Sequence, residues 1–390
     1  ADRNLFYLAS GLVLAFITIA IPVQLDGNFV TLLWAAEAAL LYWIGRTKNV
    51  PFYEKLSYPL MLLAFFSIVQ DWSDVYGRYY LNEKDQQFLP LLNIHFISSA
   101  LFTAAFGFIS YLQRKTDLPS ALGKGKLADI AYYVIPTVFI FSLYMSFRLE
   151  IGNYFEQLYA NSAISQSASN SGNYYNYSLM SFKNVWYLNY TMLFLSLLAF
   201  GNIRKLKHHG LGQLNFGFAA LFIVGFLLIG LENLSSLRDA YITQNMADYY
   251  HRGPYHILIR YISYGFVALL LTACYKYTRE KFMEGVLDKP FDALLYGSIL
   301  WIASSELIQW LDLAGVESDK LGLSILWGIY SLGLIALGIW KGKQHLRIGA
   351  IVLFAVTLAK LFLYDIAHLD TISKTVVFIA LGILLLLISF

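Results

Sequence analysis

The sequence predicts an all-α fold: a polytopic membrane protein of about twelve transmembrane helices built from repeated helical hairpins. Three observations carry this. Of the 390 residues, 58% are hydrophobic and only 14% charged, against about 25% charged in a typical soluble domain. The apolar residues fall in blocks of about 18 to 22, the length that crosses a ~30 Å hydrocarbon core; a transmembrane barrel would show alternating segments of about ten. The connections between the blocks also alternate in character.

Taken in order, the expected spans are 4–21, 28–45, 52–70, 93–112, 127–148, 185–203, 213–231, 256–277, 291–309, 320–340, 347–365 and 373–390. The first resembles a signal peptide but is longer than the usual apolar core and has no small-residue cleavage site after it, so it reads as a span. Every second connection is basic: Arg46/Lys48/Lys55, Arg114/Lys115/Lys124/Lys126, Arg204/Lys205/Lys207, Lys276/Arg279/Lys281 and Lys341/Lys343/Arg347. The others are acidic, aromatic or neutral. Positive charge collects on the cytoplasmic side, so the basic turns and both termini are expected there. Beginning at Ala1 without methionine and ending inside an apolar run, the chain reads as one helical domain over 1–390 belonging to a longer protein.

Two hairpins share a spacing. Trp34 precedes Gly45 by eleven residues, and Arg46 and Lys48 open the turn; Trp327 precedes Gly338 by eleven, and Lys341 and Lys343 open the turn. Each returning run ends on an acid, Asp71 or Asp365. The segments 30–71 and 323–365 are therefore expected to be an internal repeat, and parallel repeats often relate the halves of transporters.

A net charge of +3 gives no reason to expect nucleic acid. The single cysteine, Cys274, allows no intrachain disulfide and no cysteine metal site. The sequence has no His-x3-His pair and no glycine-rich phosphate loop, so no metal and no cofactor are expected.

Glu37 is the leading candidate for chemistry. It lies nine residues into its span, ~13 Å deep, where a charge costs about 3 kcal/mol on insertion scales and needs protein or water around it. Trp34 and four alanines flank it, small residues that bring a neighbouring helix close. Lys360 is its candidate partner, against the simpler reading that the lysine snorkels to the interface. The acids Asp26, Asp71, Glu150, Glu232, Glu306 and Asp365 form a candidate external rim. The simpler reading is that acids mark helix ends on the side that excludes basic residues. Ser304, Ser305 and Gln309 surround Glu306 with polar groups inside its span. His251, Arg252, His256 and Arg260 are candidate contacts for an anionic head group. Tyr174, Tyr175 and Tyr177 lie in mid-loop, where an aromatic belt does not explain them, and rings of this kind suit glycans, lipids or protein surfaces.

Two stretches carry a family resemblance: Ala20 to Gly27 running into Trp34-Ala-Ala-Glu37 and Trp43-Ile-Gly-Arg46, and Lys360 to Asp365 with the leucine-rich tail from Gly382. The chain resembles the bacterial predicted membrane protein family catalogued as domain of unknown function 2339, most clearly at residues 20–46 and 360–390. The resemblance implies a bacterial inner-membrane, multi-pass protein of the cell envelope, and it supplies no catalytic residues.

The reading that fits best is a protein that handles an envelope lipid or saccharide, by transport or scaffolding. Its expected partners are membrane lipids and a glycan or lipid-linked saccharide, with protein partners reached through external loops 71–92 and 149–184. One rival is an outer-leaflet enzyme that transfers a group from a lipid-linked donor, with rim carboxylates as acid and base; the short first external loop, 22–27, speaks against it. The other rival is a structural subunit of a membrane complex.

Overall fold

A computed structural model describes residues 3–25, 27–77, 87–115, 120, 126–165, 173–283, 285, 287–315 and 319–361, with isolated residues 375, 379, 382 and 383. Its helices are α1 (Arg3–Gln24), α2 (Asn28–Thr47), α3 (Pro51–Tyr76), α4 (Ile94–Arg114), α5 (Lys126–Asn161) and α6 (Ser178–Gly201). They continue with α7 (His209–Thr243), α8 (Tyr255–Thr278), α9 (Asp288–Leu313), α10 (Asp319–Trp340) and α11 (Gln344–Lys360). A short antiparallel pair, β1 (Ile164–Ser165) and β2 (Asn173–Tyr174), sits between α5 and α6. Among the described residues, eight helices are long and apolar enough to cross a membrane, and Ala9–Gln24 is a shorter apolar helix. A helix occupies the described part of each of the first eleven expected spans. The expected span 373–390 lies outside the described residues, the four isolated positions aside.

Several boundaries differ from the sequence reading, two of them for a polar reason. Helix α5 runs on to Asn161 because Glu150, taken as a helix end, is satisfied inside it. Helix α7 continues through a π turn at Phe226–Gly230 to Thr243, because Arg238 finds acids to pair with. Helix α3 runs past Asp71 to Tyr76.

The chain packs as two compact units, residues 1–183 and 184–390. In the first, α2 packs against α1, α3 and α4, and α5 against α3 and α4. The core runs through Ala35, Ala38, Tyr42, Ala64, Ile68, Phe102, Phe106 and Ile109. Small alanines at Ala35, Ala38 and Ala64 let the backbones approach, and dispersion over that close contact replaces the hydrophobic drive that lipid does not provide. The first residues of the helices are set locally. Pro51 opens α3, and Asn93 caps α4 with its side-chain oxygen, accepting from Phe96 N at 2.7 Å.

In the second unit the buried stripe of α8 recurs every three or four residues, through His256, Arg260, Ser263, Val267, Leu270, Cys274 and Tyr277. A fully enclosed arginine, Arg260, thus sits in this buried stripe. At the other end of the same helix the Tyr277 hydroxyl accepts from Asn202 and Asn215, tying α7 and the turn after α6 to it.

The two tryptophan–glycine hairpins turn alike. In the first, Lys48 N donates to Ile44 O and Val50 N to Gly45 O, with Asn49 at φ 53°. In the second, Lys341 N donates to Leu337 O and Lys343 N to Gly338 O, with Gly342 at φ 63°. Counted from the two glycines, these are the same positions. The correspondence extends up the helices. Thr31 meets Ser67 at 2.5 Å, and Ser324, at the matching position, accepts from Lys360, which matches Ser67.

Candidate functional site

The most developed polar site lies in the second unit, where α7, α8 and α9 meet. Arg260, one and a half turns into α8, is 1% exposed. Its Nη1 reaches Glu306 Oε1 at 3.1 Å, Ser305 Oγ at 3.0 Å and the Tyr264 hydroxyl at 3.1 Å; its Nη2 reaches Ser235 Oγ on α7 at 3.4 Å. Glu306 also accepts from the Tyr264 hydroxyl at 2.8 Å and the Tyr261 hydroxyl at 3.3 Å. The pair is asymmetric: the arginine is enclosed, while the Glu306 side chain is 22% exposed.

Two sets of donors and acceptors at this site have no partner among the described residues. Arg260 Nε is buried and unbonded, and so are both amide atoms of Gln309, which is 0% exposed. Gln309 lies one turn beyond Ser305 on the same face of α9. Buried amides are nearly always bonded, and each missing bond costs about 1–3 kcal/mol. Further along α9, Asp312 is held by Arg238 of α7 at 2.8 Å, and Arg238 also meets Asp239 at 2.8 Å. Trp327 of α10 donates to Ser304 at 2.9 Å.

The structure thus joins two sequence candidates that were read apart, the rim acid Glu306 and the head-group arginine Arg260. The remaining head-group candidates are arranged differently. Arg252 donates to Asn245 O at 3.3 Å and lies over the Tyr250 ring. His256 is buried with Nδ1 on Gly253 O at 3.1 Å, and His251 is exposed. Sequence reasoning missed Arg238, Tyr261 and Tyr264. Tyr264 follows Arg260 by one turn, a spacing that puts the two on one face; Arg238 was hidden by ending the seventh span at 231.

In the first unit the rim acids are held closed. Glu150 is 3% exposed and accepts from the Tyr76 hydroxyl at 2.5 Å, Leu91 N at 2.8 Å and Asn93 Nδ2 at 3.0 Å. Asp71 accepts from Thr31 at 2.6 Å, and Asn28 meets His95 at 2.9 Å beside it on the same helix ends. Glu232 is exposed on α7. Asp26 and Asp365 lie outside the described residues. Among the described residues, no group of three or more His, Cys, Asp or Glu side chains is placed to hold a metal ion.

Glu37 meets α1. Thr18 Oγ1 lies 3.2 Å and 3.3 Å from its carboxyl oxygens, and Trp34 Nε1 donates to Thr18 O at 3.1 Å. Lys360 donates to Ser324 at 2.8 Å. Two of the loop tyrosines have a local explanation: Tyr175 stacks on Tyr159 at 5.0 Å and Tyr177 meets the same ring edge-on. At the basic-turn ends a further buried pair appears, Arg46–Glu54 at 3.5 Å, and the buried Asp292 meets the half-buried Lys343 and His345 at 2.6 and 2.7 Å.

Apolar spanning helices, enclosed ion pairs and short basic turns define a multi-pass helical membrane protein. Within that class, the chain belongs to the family described as "Predicted membrane protein (DUF2339)", whose model matches residues 2–390. No curated protein and no solved structure matches the chain.

Proposed function

We propose that this protein handles an anionic envelope lipid or lipid-linked saccharide, with Arg260 as the anchor for its charged group. The observation that carries this reading is the unfilled valence around an enclosed arginine. A lone Arg–Glu pair between helices would serve packing. Among the described residues Arg260 Nε and the Gln309 amide nitrogen are two donors without acceptors, and the Gln309 oxygen is an acceptor without a donor. A phosphate bearing a hydroxyl or sugar neighbour supplies that complement, because its oxygens accept in the planar fork that guanidinium presents. In this reading Glu306 serves as the internal counter-ion, and ligand binding displaces it toward its exposed side. An intramembrane ionisable pair of this kind commonly marks a substrate path. The basic turns face the cytoplasm in this reading, so the site opens to the outer half of a bacterial inner membrane crossed by twelve spans. The like hydrogen bonds of the two tryptophan–glycine hairpins support an internal duplication.

The test is thermal unfolding in neutral detergent with added phosphatidylglycerol or phosphatidylcholine. Anionic lipid is expected to stabilise the native chain, to stabilise Glu306→Gln more, and to leave Arg260→Gln unmoved. Equal responses of all three to both lipids would remove Arg260 from the binding site.

A further inference from the structure

A second polar site lies in the first unit. Glu37 lies nine residues into the twenty-residue α2, ~13 Å along its axis, and its described partner is one hydroxyl. That hydroxyl has a single proton and three acceptors in reach: Leu14 O at 2.9 Å, Glu37 Oε1 at 3.2 Å and Glu37 Oε2 at 3.3 Å. The shortest is the carbonyl one turn back, the usual bond of a helical threonine. With its proton there, Thr18 Oγ1 offers Glu37 only lone pairs, and the contact is a hydrogen bond when the acid carries a proton and donates it. When Glu37 is ionised the hydroxyl rotates and donates to the carboxylate. Leu14 O then still keeps its helical backbone bond. One threonine can therefore partner both forms of the acid. The Trp34 indole, bonded to Thr18 O at 3.1 Å, pins α1 in that register.

On α2 itself the charged and titratable groups are Tyr42 and Arg46. On α3 they are Tyr53, Glu54, Lys55, Tyr58, Asp71, Asp74 and Tyr76, and on α4 His95, Tyr111 and Arg114. Arg46 is engaged by Glu54, and Asp71 by Thr31. We propose that Glu37 is a proton-binding site inside the membrane, which takes up and releases one proton with the Thr18 hydroxyl as its partner in both states. On uptake an O–H bond forms at the carboxyl with a proton from water, and on release that bond breaks and the proton returns to water; no electrons move.

The test uses dicyclohexylcarbodiimide on the full chain in detergent, read by intact mass and peptide mapping. The protonated acid gives its proton to a carbodiimide nitrogen while its oxygen attacks the central carbon, and acyl migration leaves a stable N-acylurea. An adduct on Glu37 is expected at acidic and neutral pH and is expected to be lost as pH rises. Thr18→Ser should keep that profile and Thr18→Val should shift its midpoint. The native chain carries the decisive arm, so the result does not depend on a variant folding. No adduct on Glu37 at any pH, or an adduct whose yield ignores pH, would overturn the proposal. Lys360→Met should leave the yield unchanged; a large rise would show that Lys360, and not Thr18, governs the acid.

Discussion

Arg260 shows what a single residue can decide. Its guanidinium is enclosed, so taking away its counter-ion leaves a buried charge with neutral partners only. Removing one member of a buried pair costs about 3–5 kcal/mol, and the partial exposure of Glu306 places this pair toward the low end. The cost is unequal between the partners. Glu306→Gln strands an arginine that is 1% exposed, whereas Arg260→Gln strands a carboxyl at 22% exposure that keeps two tyrosine hydroxyls. We expect Glu306→Gln to lower stability in neutral detergent more than Arg260→Gln, with the loss recovered by anionic lipid; unfolding midpoints of the two variants check this. At Glu37 the same scale gives a second contrast. Glu37→Gln keeps the shape and can still bond Thr18, so it should fold normally, while Glu37→Ala should cost about 1–3 kcal/mol. Equal, severe loss in both would mean that the charge itself is required.

Among the elements, the hairpins give the sharpest test, because their two glycines face different atoms. A Cβ on Gly45 would sit 2.6 Å from Glu54 N, a backbone atom, whereas one on Gly338 would meet Arg347 Cγ at 2.7 Å and Arg347 N at 3.1 Å. A side chain can move aside and a packed backbone cannot without parting the helices. Overpacking of this kind costs about 1–3 kcal/mol. Gly45→Ala should therefore destabilise more than Gly338→Ala, as measured by thermal unfolding of the two variants. The hairpins were legible in the sequence because length, apolarity and the tryptophan–glycine spacing are local signals. The ends of α5 and α7 were not. Glu150 and Arg238 look like span terminators on a hydropathy scale, and only partners distant in sequence, Tyr76 and Asn93 for one and Asp312 for the other, make them tolerable inside a helix. Pairing is a tertiary property, and no window of sequence contains it.

Across the whole molecule, the sequence reading recovered the membrane class, the all-helical fold and the family, since these follow from composition and pattern. The candidate site was half visible. Arg260 and Glu306 were each singled out, but under different headings, because nothing in the chain order brings residues on α8 and α9 to one place. The topology that orients the site is testable by cysteine labelling from outside. Positions 84, 166 and 246 should react and positions 124 and 207 should not; labelling at 124 would invert the arrangement. The central claim is that the enclosed arginine and the unfilled amide of Gln309 hold an anionic head group. Its most direct test is a density map of the protein reconstituted in phosphatidylglycerol nanodiscs. We predict head-group density within hydrogen-bonding distance of Arg260 and Gln309, with Glu306 turned away. A map in which Arg260 stays on Glu306, Gln309 is bonded by protein or water alone, and lipid lies only around the perimeter would contradict it.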